Sequence, residues 1–299
     1  MSIVAAPPSS RLPHRTTLAP FRYGGGDPTT RLTPGEFWRA TLTPHGPATV
    51  HIDWRDGTVR VNTWGTGSDW LAETVPHLIG LHDAPVTFTE AHPAIMRAQR
   101  NHPHLLLGAS RDLYHELLPI ILGQRITAGE ACTQWRRLCL ELGESAPGPY
   151  ADLRLPPAPD RLAHTPSWWF HPLGIERRRA EPLIAVAKYA DRLWQWMQAG
   201  STETARHLVM LPGVGEWTIG LALASALGEP DAVAVGDFHV KNSVAWALAG
   251  EPRGTDERML QLLEPYRGQR GRVVKLLQLE VGSAPKFGPR KRILPMAQW

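Results

Sequence analysis

The chain has 299 residues, 42% hydrophobic and 20% charged, enough for about two or three modest domains with apolar cores. Its longest apolar-rich stretch, Trp217–Leu227, is too short to span a bilayer and carries a threonine and a serine, so no membrane association is expected. The N-terminus has no apolar segment of the length a secretory signal needs, so a cytoplasmic protein is expected. The two cysteines, Cys132 and Cys139, supply neither a disulfide framework nor a zinc site, and an iron–sulfur cluster is excluded; both read as apolar residues.

The formal net charge of +4 is a mild sign of a polyanionic partner. Its distribution says more. Between Tyr266 and Trp299 the basic residues are Arg267, Arg270, Arg272, Lys275, Lys286, Arg290, Lys291 and Arg292, against the single acid Glu280. Those from Lys286 onward sit among Pro and Gly and read as a flexible basic tail over 286–299.

Residues 1–15 are proline-rich and read as a disordered lead-in. Phe37–Thr43, Ala48–Trp54 and Thr58–Trp64 then read as strands. The last two alternate polar and apolar residues across the turn Arg55-Asp56-Gly57. Ser68–Leu81 reads as a helix with one apolar face, which makes 16–105 a small domain with an antiparallel sheet backed by helices. From about Arg111 the period becomes helical, over Leu113–Leu122, Ala128–Leu142, Arg177–Gln198, Glu203–Met210, Glu216–Leu227, Phe238–Ala249 and Asp256–Leu263. Breakers such as Pro147-Gly148-Pro149, Pro212-Gly213 and Pro252 punctuate this second domain, 106–285. The fold class is therefore α+β, a sheet domain followed by an all-α body.

One segment carries chemistry. Leu211-Pro212-Gly213-Val214-Gly215 separates two helices. Proline ends the first, the glycines permit a tight hairpin, and the free amides of the second point back at the turn. Such amides grip a phosphate without reading base sequence. An ordinary helix–helix corner has the same composition. Asp237 follows, 22 residues beyond Gly215, after the apolar run Ala232–Val235 and Gly236, and can cap the next helix. Capping alone would also explain it.

The hairpin and aspartate together resemble the HhH-GPD superfamily of DNA glycosylases. Ile121-Leu122-Gly123-Gln124 is similar to that family's early helix end, and Gly174–Glu181 to its G-x-x-x-x-R-A-E segment. The strand-rich N-terminus resembles the TATA-binding-protein-like domain of the bacterial 3-methyladenine DNA glycosylase II group, which acts in alkylation repair. The resemblance covers roughly residues 15–285.

It implies a monofunctional glycosylase that hydrolyses the bond between sugar and an alkylated base, of the 3-methyladenine or 7-methylguanine type. The sugar gains positive charge as that bond breaks, and a fixed carboxylate stabilises it. Asp237 matches the family's catalytic aspartate. Trp217 stands where bifunctional relatives carry a nucleophilic lysine, so no lyase step is expected. Its indole would form a base-pocket wall that attracts cationic methylated purines; packing between helices is the alternative.

Trp168 and Trp169 are candidates for the same pocket or for the core. Leu211, Gly213, Val214, Gly215, Gln124, Arg125 and His239 are the implied DNA contacts. Arg125 falls at the family's wedge position, where the alkylation-repair members carry an apolar residue; a phosphate contact or a plain surface charge is the other role open to it. Gly236 stands where some relatives have a second acid. The resemblance also implies a monovalent cation, Na+ or K+, on the backbone carbonyls of Val209, Leu211 and Val214, with no other cofactor. The expected partner is double-stranded DNA containing damaged bases, bound by a monomer. A different lesion on the same fold, and a hairpin module that only holds DNA, are the rival readings.

Overall fold

The computed structural model describes residues 15–282 and the backbone of Val4–Ala5. Within the lead-in read as disordered, Val4–Ala5 forms strand β1. The rest of 1–14 and the basic tail 286–299 lie outside the described residues.

After the short helix α1 (Arg15–Leu18) the chain forms β2 (Thr30–Thr33), β3 (Glu36–Thr43), β4 (Gly46–Asp53) and β5 (Arg60–Gly65). All pairings are antiparallel, in the order β1-β5-β4-β3-β2. Alternation sends Phe37, Val50, Ile52 and Val61 to one face, where they bury against Leu71, Val75 and Leu78 of α2 (Ser68–Leu78). On the other face Trp38 stacks on His51 at 3.9 Å, and Leu153 and Leu155 cover Ala40.

Helix α3 (Pro93–Asn101) follows. The body then comprises α4 (Leu113–Leu122), α5 (Ala128–Leu142), α6 (Pro159–His164), α7 (Arg177–Lys188), α8 (Ala190–Gln198), α9 (Ser201–Leu208) and α10 (Glu216–Ala222). It closes with α11 (Phe238–Ala249), α12 (Asp256–Leu263) and α13 (Arg270–Glu280). Among the described residues, no helix is long and apolar enough to cross a membrane.

Several details depart from the periodicity. The pattern over Arg177–Gln198 is two helices, because the chain breaks at Tyr189 and redirects α8 onto α4 and α9. Glu216–Leu227 is α10 followed by a π-turn, Leu223–Leu227. The stretch 16–105 does not share one core. Ala94, Ile95 and Ala98 of α3 pack with Val244, Met259 and Val273 of the last three helices, so α3 belongs to the C-terminal core and not to the sheet.

The basic run after Tyr266 is also largely internal. Arg267 pairs with Glu264, Arg270 with Asp231 and the buried Arg272 with Asp83. It is not a free phosphate-binding stripe over its described part.

A buried polar network ties the sheet to α4. Arg39 of β3 pairs with Glu116 at 2.6 Å, both fully enclosed, and donates to Phe21 O at 3.1 Å. Tyr23 donates its hydroxyl to Glu116 at 3.2 Å. The Thr41 hydroxyl meets Asp112 and, at 2.8 Å, His115 Nδ1, while His115 Nε2 lies 3.2 Å from Thr29 Oγ1. Burial, then the charge of Arg39, holds the His115 imidazole well below its usual range. Burial pushes the Asp112 carboxyl up to about 6.

A carboxyl whose folded value is raised stabilises the fold when protonated, and that contribution fades as pH rises from about 4 to about 6. Asp112→Asn removes the group that must ionise. From pH 4 to pH 7 its unfolding free energy, relative to wild type, is expected to shift by roughly 2 kcal/mol in the variant's favour. Urea unfolding at the two pH values measures this, and a difference independent of pH contradicts it.

Candidate active site

The helices α9 and α10 are joined by a turn in which Val214 N–H closes on Leu211 O at 3.1 Å. Leu211 and Val214 bury their side chains in the helical core, so each presents only backbone to the surface. Gly213 has the left-handed φ of +75°, while Gly215 is extended. The N–H groups of Gly215, Glu216 and Trp217 have no backbone acceptor among the described residues, as expected at a helix start.

The Asp237 loop reaches this turn because the backbone before it lies directly on α10. A Cβ at Gly220 would stand 2.3 Å from Val233 O, so only glycine admits that approach. The same loop is held from behind by Asp231, which accepts the Gly268 N–H at 2.7 Å and Arg270 Nε at 2.9 Å.

Asp237 caps α11. Its Oδ1 accepts the N–H groups of His239 at 2.7 Å and Val240 at 3.0 Å. Its Oδ2 accepts the Trp217 indole N–H at 2.9 Å. Capping is therefore real, but a second helix also orients the carboxylate, which a cap alone does not need. Trp217 is half-buried and packs on the helical core as well, so it is both a packing residue and the carboxylate's neighbour.

Hairpin, loop and α4 end enclose an open cleft of about 840 Å³, lined by Arg125, Met210, Gly213, Trp217, Asp237 and Phe238 among others. Val209, Met210 and Phe238 are 58, 75 and 59% exposed there. Exposed apolar side chains gathered at the mouth of one cleft mark a contact surface.

Gln124 uses its amide inside the protein, donating to Gly213 O at 2.9 Å and Thr218 Oγ1 at 3.0 Å. It clamps the hairpin to α4. Arg125 is exposed and adopts φ of +59°, a left-handed conformation that costs a non-glycine residue about 1–2 kcal/mol. His239 is exposed, edge-on to Phe238 at 5.3 Å. Lys241 is paired with Asp256 at 2.8 Å.

Trp168 and Trp169 do not line the cleft. Their 3₁₀ segment, Ser167–Leu173, packs against α5 and α7; Trp168 is solvent-exposed and Trp169 lies edge-on to the buried Phe170. Sequence reasoning missed Gly220 and Asp256. A glycine inside an apolar helix pattern was the signal for the first.

Two places gather donor atoms that could hold an ion. Glu36, His51 and Asp53 bring ligand atoms within 4.8 Å of one another. Arg55 already satisfies that charge, contacting Asp53 at 2.7 Å and Glu36 at 3.3 Å. At the hairpin, the carbonyls of Val209 and Val214 receive no backbone N–H outside the helices among the described residues, and Leu211 O has a second lone pair beyond its bond to Val214.

No family model matches the chain, and no curated protein matches it. Solved structures do match in fold. The 3-methyladenine DNA glycosylase from Archaeoglobus fulgidus superposes with a TM-score of 0.72 at 16% identity, covering 94% of this chain and 99% of that one. The apo form of the 8-oxoguanine glycosylase/lyase from Clostridium acetobutylicum gives 0.67 at 12% identity, covering 89% and 92%. The same enzyme in complex with double-stranded DNA containing cytosine opposite 8-oxoguanine gives 0.65 at 14%, covering 88% and 89%. The mixed architecture expected from the sequence, an antiparallel sheet followed by helices, is thus found, and its fold is similar to that of solved DNA glycosylases.

Gly220→Ala places a methyl group against the Val233 carbonyl and must displace the loop that carries Asp237. The expected cost is about 1–3 kcal/mol. Urea unfolding measures it, and an unchanged midpoint contradicts the close approach.

Proposed function

We propose that the protein is a monofunctional DNA glycosylase that releases alkylated bases from double-stranded DNA. The observation that carries this reading is the Asp237 carboxylate at the cleft, oriented by the next turn of its own helix and by the Trp217 indole N–H. Breaking the glycosidic bond leaves positive charge on the sugar. A carboxylate already fixed beside the sugar lowers that barrier without reorganising. Water then adds to C1′, its proton leaves, and the base departs with the bonding electrons.

A module that only holds DNA gains nothing from such a group, since a carboxylate beside the phosphates weakens binding. The target base must leave the stack to reach the cleft. Arg125, held strained and exposed at the rim, is the residue we place in the gap; Met210, Val209 and Phe238 supply apolar contact around it. Free amides at Gly215–Trp217 bind backbone phosphate, with His239 nearby. The hairpin carbonyls of Val209, Leu211 and Val214 suit a monovalent cation that would brace this turn.

Lesion class follows from Trp217. It occupies the place of a Schiff-base lysine, so the nucleophile is water and the abasic site stays intact. Its electron-rich face favours the positive charge of methylated purines. We read the sheet with α2 as the TATA-binding-protein-like domain of the alkylation-repair group, and the protein as a cytoplasmic, nucleoid-associated monomer.

The test is an excision panel on duplexes carrying methylated purines, hypoxanthine, ethenoadenine, uracil or 8-oxoguanine, each with and without borohydride. Release of methylated purines with an intact strand is expected. A borohydride-trapped protein–DNA complex would contradict the hydrolytic chemistry, and release confined to 8-oxoguanine would move the substrate to oxidised bases. No release from any duplex would favour a binding module.

A further inference from the structure

Behind the Asp237 loop stands an acid that the proposed chemistry does not use. Asp256 is the first residue of α12, set by the Thr255 cap, whose Oγ1 accepts the Arg258 N–H at 3.1 Å. Its Oδ1 accepts the Gly236 N–H at 2.8 Å and its Oδ2 accepts from Lys241 Nζ at 2.8 Å. Both partners flank Asp237, one residue before it and four after.

Each contact has a consequence. Gly236 has φ of +91°, and a Cβ built there would meet nothing nearer than Trp217 Cβ at 4.0 Å. A glycine in open space has no steric reason to keep one orientation. The bond to Asp256 supplies that reason for the peptide leading into Asp237. Lys241 lies four residues beyond Asp237, the spacing that places side chains on one helical face. Its ammonium is held instead on the neighbouring helix, with the Lys241 and Asp256 side chains 23% and 25% exposed. Released, Lys241 has Asp237 one turn away on its own helix, with Glu257 of α12 the other carboxylate within its electrostatic reach.

We propose that Asp256 is a positioning residue that keeps Lys241 off the Asp237 carboxylate and fixes the Gly236 peptide before it; this rests on the role given to Asp237 above. The carboxylate then faces the reacting sugar with its negative charge uncancelled. A cation paired to it would oppose the oxocarbenium charge that it must stabilise. Asp256 touches neither sugar nor base and acts only through its neighbours.

The two contributions separate by substitution. Asp256→Asn keeps an oxygen for the Gly236 N–H but frees Lys241. Single-turnover base release at saturating enzyme is expected to slow about tenfold or more, since each 1.36 kcal/mol of barrier is tenfold, while affinity for the same duplex does not weaken. Adding Lys241→Met to Asp256→Asn is expected to restore most of the rate. Asp256→Ala loses both contacts, and Lys241→Met is expected to restore little there.

The Trp217 indole N–H resonance, assigned with Trp217→Phe, reports the same events without any excision. It should move in Asp256→Asn and return in the double variant. Wild-type release by Asp256→Asn overturns the proposal, as does a slowed Asp256→Asn whose rate Lys241→Met fails to restore. If wild type releases no base while the indole resonance still responds as described, the role of Asp237 falls and the contact between these residues stands.

Discussion

The hydrogen bond from the Trp217 indole to Asp237 joins two helix starts that lie 20 residues apart in the chain. The rest of the cleft is arranged around it. Trp217 is placed by the hairpin that opens α10, and Asp237 by the cap of α11. Bringing the two starts together requires the intervening segment to cross α10 at backbone contact distance, which the missing side chain of Gly220 allows. Asp231 and Asp256 hold that segment from the other side, so the carboxylate's position is fixed by groups from α10, α11, α12 and α13. A carboxylate held this way is preorganised, its aim set by its neighbours and not by its own flexibility.

The buried network on α4 sets the third wall. Arg39 and Glu116 form an enclosed ion pair, which is weak evidence for stability because desolvation offsets most of its attraction. What it does specify is register. Removing one partner leaves an uncompensated buried charge, so β3 and α4 have one arrangement in which all members are satisfied. The far end of α4 delivers Gln124 to the hairpin and Arg125 to the rim. The sheet takes no part in lining the cleft, yet it orients the helix that does.

Much of this was legible in the sequence, for identifiable reasons. Leu113–Leu122, Ala128–Leu142, Phe238–Ala249 and Asp256–Leu263 are helices whose bounds follow from caps at Asp112, Thr127, Asp237 and Thr255. The hairpin and aspartate were visible as breakers and a cap at a telling interval. Helix α13 was not, because Arg272, Val273, Val274, Leu276 and Leu277 are all buried and leave no single apolar stripe. Its arginines looked like a polyanion-binding run because their partners, Asp83 and Asp231, are remote in sequence. Trp168 and Trp169 suggested a pocket by composition alone, and composition does not say which way a short 3₁₀ segment turns its rings. Asp256 carried no local sign of its importance, since a first-turn acid is ordinary at a helix start.

The central claim is that Asp237 acts on the sugar and does not merely cap a helix. The most direct measurement is single-turnover base release by Asp237→Asn, with affinity for the same duplex measured in parallel. Asparagine preserves the cap and most of the shape while removing the charge. The account predicts affinity at or above the wild-type level and release slowed by about 100-fold or more. Release at a rate near wild type, with binding intact, would show that the carboxylate's charge is not what breaks the bond.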